Sequence, residues 1–226
     1  MRMAANRDEV LASIEARTGV CFSVIDADKE AAYTLAAVRA RMANLGIAND
    51  SLAMIDVGGG STEVIFYKDG ERVSRSFPIG IVTIAQRCET TQEVRRLLGD
   101  MLASVRGFVQ EYRTLHGEPE CFVLTAGTPT TVAAFLQGMT YDTYDANRIN
   151  GFVLSREACE RALDALLRLD EATRAKYVGV GRESLIAAGI VIIEAFYDVL
   201  GFDEGVVIDD GVREGVALMH CSDALH

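Results

Sequence analysis

The chain has 226 residues, half of them hydrophobic, and a formal net charge of −11. This length suits one large domain or two small ones, and the hydrophobic fraction is enough to build a substantial core. A nucleic-acid backbone is disfavoured as a general partner, because an acidic chain without a long basic patch releases few counterions on binding.

Membrane and secretory signals are missing from the sequence. No apolar run approaches the ~18–20 uncharged residues of a membrane span, and the amino-terminal stretch lacks the apolar core of a signal peptide. Five cysteines lie far apart, without a C-x-x-C pair, and three histidines form no cluster. We therefore expect reduced thiols, no membrane contact and a cytoplasmic location.

The first predicted elements are two helices around a short strand, followed by three strands in quick succession. They are a helix from Asn6 to Gly19, a strand over Val20–Ile25, a helix from Lys29 to about Leu45, and strands at about 51–57, 62–68 and 71–78. Lys68-Asp69-Gly70 is a hairpin turn signal between the last two strands.

The second half of the chain alternates helices and strands. The predicted elements are helices at 82–88 and 92–115, a strand Cys121–Thr125, a helix Pro129–Gln137 capped by Thr128, a weak strand Gly151–Leu154, a helix from Ser155 to Leu169, a buried helix Arg182–Leu200, a strand Val206–Ile208 and a helix Gly211–Met219.

This order of elements predicts the fold class. Three strands on short loops form an antiparallel meander, and the later strands join through crossover helices. We therefore expect an α/β, RNase H-like mixed sheet. A single domain over 1–226 would have a helical lead-in at 1–48, a core at 49–139 and 200–221, and a helical insertion at about 150–200.

Three consecutive glycines, Gly58, Gly59 and Gly60, separate two β-prone stretches. Each glycine costs roughly 1 kcal/mol inside ordinary secondary structure. A turn that needs positive φ, or a close approach of backbone to a ligand, recovers that cost. A glycine hairpin also exposes N–H groups that suit a phosphate oxygen. A tight hairpin without a ligand is the alternative.

Polar side chains flank these glycines on both sides. Ser61 and Thr62 add hydroxyl donors, while Asp56 and Glu63 supply oxygen ligands for a hard cation such as Mg²⁺. We interpret the segment as a phosphate-and-magnesium loop. It differs from a Walker loop and from a Rossmann fingerprint, because a strand rather than a helix follows it.

A second candidate anion site lies where the strand 121–125 meets the next helix. Gly127 and Thr128 stand at that helix N-terminus, where free N–H groups and the helix dipole favour an anion. An ordinary, well-capped β–α turn is the alternative interpretation.

Two further charged positions are candidates. Glu30 lies in the first turn of a helix, where the dipole keeps a carboxylate ionised and suited to act as a general base, although plain capping explains it too. Arg213 follows the last strand, and it either clamps a phosphate or pairs with Asp209 or Asp210.

Three motifs together resemble a known family. They are Asp-Val-Gly-Gly-Gly-Ser-Thr-Glu at 56–63, Ala-Gly-Thr-Pro-Thr-Thr at 126–131 and Asp-Gly-Val-Arg-Glu-Gly at 210–215. In this order they resemble the exopolyphosphatase/guanosine pentaphosphate phosphatase (Ppx/GppA) family of the actin-like ATPase superfamily. Weaker similarities are Arg2 to Asn6, Val24-Ile25 with Glu30-Ala31, and Phe77 to Gly80.

The resemblance implies hydrolysis of the terminal phosphoanhydride of polyphosphate or guanosine pentaphosphate, with Mg²⁺ as cofactor. It makes Glu30 the catalytic base and Asp56 and Glu63 the metal ligands. The residues that would bind phosphate are Gly58, Gly59, Gly60, Ser61 and Thr62, with Gly127 and Thr128 on the second face of the cleft.

The chain departs from the family pattern in four places. Lys29 stands where the family has a glutamate, and Ala126 and Pro129 replace glycines. The fourth departure is the family's N-terminal half, with its own phosphate loop, which has no counterpart here. The resemblance therefore implies the second actin-like domain alone, of low activity without its partner domain.

Two alternatives to an active phosphatase, and one expectation about assembly, follow from the same residues. A sugar or carboxylate kinase of the same superfamily shares the glycine loop. A binding or sensing module would hold a phosphorylated ligand without cleaving it. An exposed half-cleft would also favour a homodimer, because exposed apolar patches often mark interfaces.

Overall fold

A computed structural model describes residues 5–48 and 50–221, with the side chain of Cys221 left out of the description. The helices are α1 Arg7–Thr18, α2 Ala27–Asn44, α3 Ile81–Ala85, α4 Thr91–His116, α5 Gly127–Leu136, α6 Ala146–Ile149, α7 Arg156–Arg168, α8 Glu171–Val178, α9 Ile186–Leu200 and α10 Val212–Cys221. The strands are β1 Ser51–Val57, β2 Thr62–Lys68, β3 Glu71–Phe77, β4 Cys121–Thr125, β5 Phe152–Ser155 and β6 Glu204–Val207.

The strands form one mixed sheet in the order β3-β2-β1-β4-β6-β5. Strands β1, β2 and β3 pair antiparallel as a meander, while β4 and β6 run parallel to β1. Parallel neighbours need long crossover connections, which here are helical. The predicted α/β fold, a meander followed by crossover helices, is therefore confirmed.

Helices cover both faces of the sheet. The central strands are therefore buried on both sides, and their sequences are almost continuously apolar. Leu52 and Met54 of β1 face α2, where they meet Leu35 and Val38. The residues between them along β1 face the opposite side, which is packed by α4, α5, α7 and α9. The side chain of Ile55 is fully buried on that second face.

Helix α9 fills the centre of the second face. Its Phe196 and Tyr197 are fully buried, and it packs against α4 and α7. A helix that is apolar all round belongs inside the core, so the predicted buried helix is confirmed, with its start at Ile186 instead of Arg182. The range 150–200 also contributes β5, which pairs antiparallel with β6 at the sheet edge.

The predicted strand Val20–Ile25 is wrong. The segment has irregular structure, and Phe22 is 55 % exposed. A strand needs a neighbour to bond its backbone, and this segment does not pair with β3 or β5, the edge strands of the described sheet. Helix α1 before it buries no side chain, so the lead-in up to residue 26 adds nothing to the described core.

Smaller differences concern helix ends and short helices. Helix α5 begins at Gly127 after Ala126, so Thr128 lies inside the helix and is not its cap. The short helices α6 and α8 were not predicted from the sequence. The similarity at Arg2 to Asn6 lies mostly outside the described residues, of which only Ala5 and Asn6 belong to it. None of the described helices is long and apolar enough to cross a bilayer.

Candidate functional site

A row of polar side chains crosses the sheet at the end of β1. Asp56 of β1 pairs in register with Glu63 of β2, and Glu63 pairs with Ser76 of β3. On the other side Asp56 pairs with Thr125 of β4. Partners in register share one face of a sheet, with Cβ atoms about 4.5–5.5 Å apart. The four side chains therefore lie together on the face that α2 covers.

Glu63 is held in place by two hydroxyl groups. Its Oε1 accepts hydrogen bonds from Ser61 at 2.9 Å and from Ser76 at 2.8 Å, and the residue is 4 % exposed. Ser61 of the glycine loop is therefore tied to the predicted metal ligand. Ser76 was missed from the sequence, because its position depends on the pairing of β2 with β3.

Helix α2 brings a third carboxylate to this row. Its Thr34 contacts Asp56 Oδ2 through a long 3.4 Å hydrogen bond, and Glu30 lies one turn earlier on the same helix face. Asp28 pairs with Arg72 of β3 at 2.7 Å, which fixes the start of α2 over the sheet. The charge of Glu30 acts on Asp56, as does that of Glu63, and we call these three carboxylates the acidic row.

The pKa of Asp56 is raised to about 6 at this site. Burial is the main cause, followed by repulsion from Glu63 and from Glu30, and the Thr34 hydroxyl opposes them. Like charges directly opposite each other on a sheet destabilise it. A bound cation would relieve this repulsion.

The donor set fits Mg²⁺ bound together with a phosphate ligand. Hard cations take oxygen ligands, and Mg²⁺ is usually held by one or two carboxylates, waters and substrate phosphates. Within the described residues no group of three His, Cys, Asp or Glu side chains is close enough to hold a metal by itself. Asp56 and Glu63 therefore suit a shared site better than a closed protein cage.

The glycine loop presents free backbone donors beside these acids. The Gly58 N–H donates to the Ser61 carbonyl at 2.9 Å, and the carbonyls of Gly58 and Gly59 accept from the start of α3. The amides of Gly59, Gly60 and Ser61 donate to no acceptor in the described part of the chain. Three N–H groups are therefore available to a ligand.

Of the two explanations offered for these glycines, the need for positive φ does not apply in the described structure. The described residues with positive φ do not include Gly58, Gly59 or Gly60. A Cβ at Gly59 would lie 3.3 Å from Val82, whereas a Cβ at Gly60 would meet nothing within 4 Å. Neither conformation nor packing within the described chain requires glycine at 60, and the close approach of a ligand there stays a prediction.

Gly80 forms the floor of the glycine loop. A side chain at Gly80 would overlap the backbone of Gly59 and Gly60. The loop therefore rests directly on the backbone that opens α3, which explains why the sequence similarity to the family includes Gly80.

Two residues predicted to bind phosphate have buried side chains that contact other parts of the protein. The Thr62 hydroxyl donates to the Ile79 carbonyl at 2.6 Å, and Thr62 is fully buried. Thr128 is 2 % exposed and packs directly against Gly189 of α9. A side chain at Gly189 would overlap it. These side chains hold the two loops in place, and their contact with phosphate stays a prediction.

The second loop follows β4, the strand next to β1. Ala126 has φ +77° and ψ −177°, and Gly127 begins α5. A side chain at Gly127 would overlap the Arg182 guanidinium, so this cation lies against the first turn of α5. Arg182 precedes α9 and was missed, because it lies 55 positions after Gly127 in the sequence.

Arg213 is not brought to either loop by any contact in the described residues. Its side chain is 91 % exposed, and within that part of the chain it pairs with Glu214 at 3.6 Å. Asp210 pairs instead with Arg41 of α2, at 2.7 and 3.0 Å. Asp210 was predicted as a possible ion-pair partner of Arg213, but it pairs with Arg41.

The fold and the site together define the class of protein. The model of the Ppx/GppA phosphatase family matches residues 1–223, and the chain belongs to this family. An Aquifex aeolicus member of the family superposes with a TM-score of 0.73 at 26 % identity, covering 100 % of this chain and 72 % of that one. A Cytophaga hutchinsonii exopolyphosphatase, at 19 % identity and a TM-score of 0.80, shares the fold over 99 % of this chain and 72 % of its own.

Curated relatives carry related names. Exopolyphosphatase 2 of Mycobacterium tuberculosis is 32 % identical over 198 residues, which are 80 % of this chain and 59 % of that protein. The guanosine-5'-triphosphate,3'-diphosphate pyrophosphatase of Pseudoalteromonas atlantica is 27 % identical over 96 % of this chain and 42 % of its own length. The chain thus spans little more than half of the first relative and less than half of the second.

Proposed function

We propose that this chain carries one wall of a Mg²⁺-dependent site that hydrolyses the terminal phosphoanhydride of polyphosphate or guanosine pentaphosphate. The observation that supports it is that three amides without an acceptor among the described residues, at Gly59, Gly60 and Ser61, meet the acidic row at Asp56. Phosphoryl transfer needs mainly positioning and neutralisation of charge, and this arrangement offers both.

The phosphate-binding role falls to backbone groups. The amides of Gly59, Gly60 and Ser61 would hold the terminal phosphate, while Arg182 beside Gly127 would contact the next one. The loops that follow the parallel strands β1 and β4 lie about one strand spacing apart, roughly 4.8 Å. One phosphate chain can therefore touch both.

The acidic residues divide two tasks between them. Asp56 and Glu63 would hold Mg²⁺, which supplies neutralisation of the phosphate charge when it is bound. Glu30 would accept the proton of the attacking water, because it reaches the row from the first turn of α2. Lys29 is exposed and stands where the family has a first glutamate. Glu30 is therefore the carboxylate that remains of the family's two adjacent glutamates.

The opposite wall of the cleft belongs, in this proposal, to the length that the relatives have in addition, since the chain spans 59 % of Exopolyphosphatase 2. A site with one wall would position its substrate poorly, and good positioning contributes several kcal/mol to catalysis. We therefore expect slow turnover by this chain alone. We also expect a cytoplasmic location, because the widely separated cysteines suit a reducing compartment.

Phosphate release from polyphosphate and from guanosine pentaphosphate, with and without Mg²⁺, tests the proposal. Glu30→Gln should lower the Mg²⁺-dependent rate about 10²–10⁴-fold, the usual contribution of a general base. Glu15→Gln in the exposed helix α1 is the matched control and should leave the rate unchanged. Rapid turnover that Glu30→Gln does not alter would contradict the role of Glu30.

A binding or sensing module is the second candidate. The free amides and the acidic row suffice to hold a phosphate ligand without a complete cleft. Mg²⁺-dependent binding by calorimetry, with no hydrolysis even in the presence of the domain that the longer relatives add, would favour it. Membership of a phosphatase family makes the kinase alternative the weaker one.

A further inference from the structure

An aromatic and apolar surface borders the second phosphate loop. Tyr141 is 60 % exposed, and Val180, at 91 %, is the most exposed large hydrophobic side chain in the described part of the chain. Both are next to Gly179, which ends α8 with φ +88°. Exposed apolar side chains gathered at one place often mark a binding surface.

Contacts at Gly179 connect this surface to the site. A Cβ at Gly179 would lie 3.1 Å from the Tyr141 ring and 3.6 Å from Arg182 Cδ, so ring and arginine flank the same glycine. The Arg182 N–H also donates to the Gly179 carbonyl at 3.2 Å. The guanidinium end of Arg182 lies against Gly127. Tyr141, Arg182 and the second loop therefore form one continuous edge.

The segment that carries Tyr141 is anchored at its other end. Tyr144 lies near Asp209 and near Thr130 in α5, and burial, followed by the Asp209 charge, raises the pKa of its hydroxyl. The Thr143 hydroxyl and the Thr140 backbone close the short turn between them at 2.8 Å. The exposed ring of Tyr141 therefore lies on a turn that is closed by a hydrogen bond.

We propose that Tyr141 and Val180 form a nucleobase platform, so that the site accepts a nucleoside-bearing phosphoanhydride in preference to a bare phosphate chain. The proposal rests on the proposed function, because the phosphates would run from the glycine loop past Arg182. A bare chain offers nothing to an exposed ring, whereas a base stacks on it. In this arrangement the loop amides contact the terminal phosphate, the Arg182 guanidinium contacts the next phosphate, and the Tyr141 ring contacts the base.

Calorimetry with Mg²⁺ on the 226-residue chain tests this with two probes of equal phosphate number, guanosine triphosphate and inorganic tripolyphosphate. The wild-type chain should bind the nucleotide more tightly. Tyr141→Ala should weaken nucleotide binding roughly 5- to 100-fold, the usual range for one stacked base, and leave tripolyphosphate unchanged. Tyr141→Phe keeps the ring and should keep the preference.

Equal affinity of the wild-type chain for both probes would overturn the platform while leaving the phosphate site standing. An equal loss of both probes in Tyr141→Ala would also overturn it, because it would indicate a structural role. If the wild-type chain bound neither probe, the proposed function would fail together with the platform.

Discussion

Ala126 has a backbone conformation that only glycine adopts without strain. Its φ of +77° and ψ of −177° fall in that region, where another residue costs about 1–3 kcal/mol. Ala126→Gly should therefore raise the free energy of unfolding by about 1 kcal/mol after the larger chain entropy of glycine is subtracted. Urea unfolding of both proteins measures it, and a lower midpoint for the glycine variant would contradict the assignment of strain.

Glu194 gives a pH dependence that is separate from the candidate site. It is 1 % exposed in α9 and pairs with Arg95 at 2.7 Å. Burial raises the pKa of its carboxyl, which Arg95 only partly offsets. The folded chain therefore keeps this proton to higher pH than the unfolded chain, and stability falls as pH rises from about 4.3 through the raised pKa.

Glu194→Gln removes this titration. The variant should gain stability over the wild-type chain as pH rises through that window, and the two curves should stay parallel above it. Chemical unfolding at a series of pH values from 4 to 8 checks the sign. A difference that shrinks with rising pH would show that the carboxylate is stabilised by its surroundings.

Sequence patterns located the acids of the site but not the orientation of its hydroxyls. Asp56 and Glu63 flank a hairpin, so strand pairing alone brings them together. Thr62 and Thr128 belong to the motifs that predict phosphate binding, yet their side chains are buried against other segments of the chain. The position of Arg182 depends on tertiary packing of the turn before α9, which no local pattern encodes.

At the level of elements, α10 packs on α2 through a contact that requires glycine. Any side chain at Gly215 would overlap the Tyr33 carbonyl of α2. Gly215→Ala should push the helices apart and lower the free energy of unfolding by roughly 1–3 kcal/mol, as overpacking does. Because α2 carries Glu30, the same change should also slow phosphate release.

Gly107→Ala is the control for that substitution. A Cβ at Gly107 of α4 would meet nothing within 4 Å, so alanine should stabilise this helix by about 0.5–1 kcal/mol. Thermal unfolding of both variants compares them directly. A Gly215→Ala protein as stable as the wild-type chain would show that α10 does not rest closely on α2.

Elements with strong periodicity were predictable, and the failures have a common cause. The meander followed from turn signals and apolar runs, and the buried α9 from its composition. The strand over Val20–Ile25 failed because β propensity cannot supply a neighbouring strand. Helix α5 begins earlier than its Thr-Pro pair suggests, since strained Ala126 ends β4.

For the whole molecule, a net charge of −11 and a phosphate ligand are compatible. The proposed contacts are local: backbone amides, one guanidinium and a cation that reverses the field at the acidic row. The described chain spans 59 % of Exopolyphosphatase 2, so we expect a second wall from the remaining length of such relatives. A homodimer that covers the exposed half-cleft stays a prediction.

Amide chemical shifts measured by NMR during titration with magnesium pyrophosphate test the phosphate loop most directly. We predict that the amides of Gly59, Gly60 and Ser61 shift with ligand concentration, more than that of Gly58, which already donates to Ser61. Asp56→Asn should abolish the part of the effect that depends on Mg²⁺. Saturable binding that leaves these three amides unmoved would contradict the phosphate-binding role of the glycine loop.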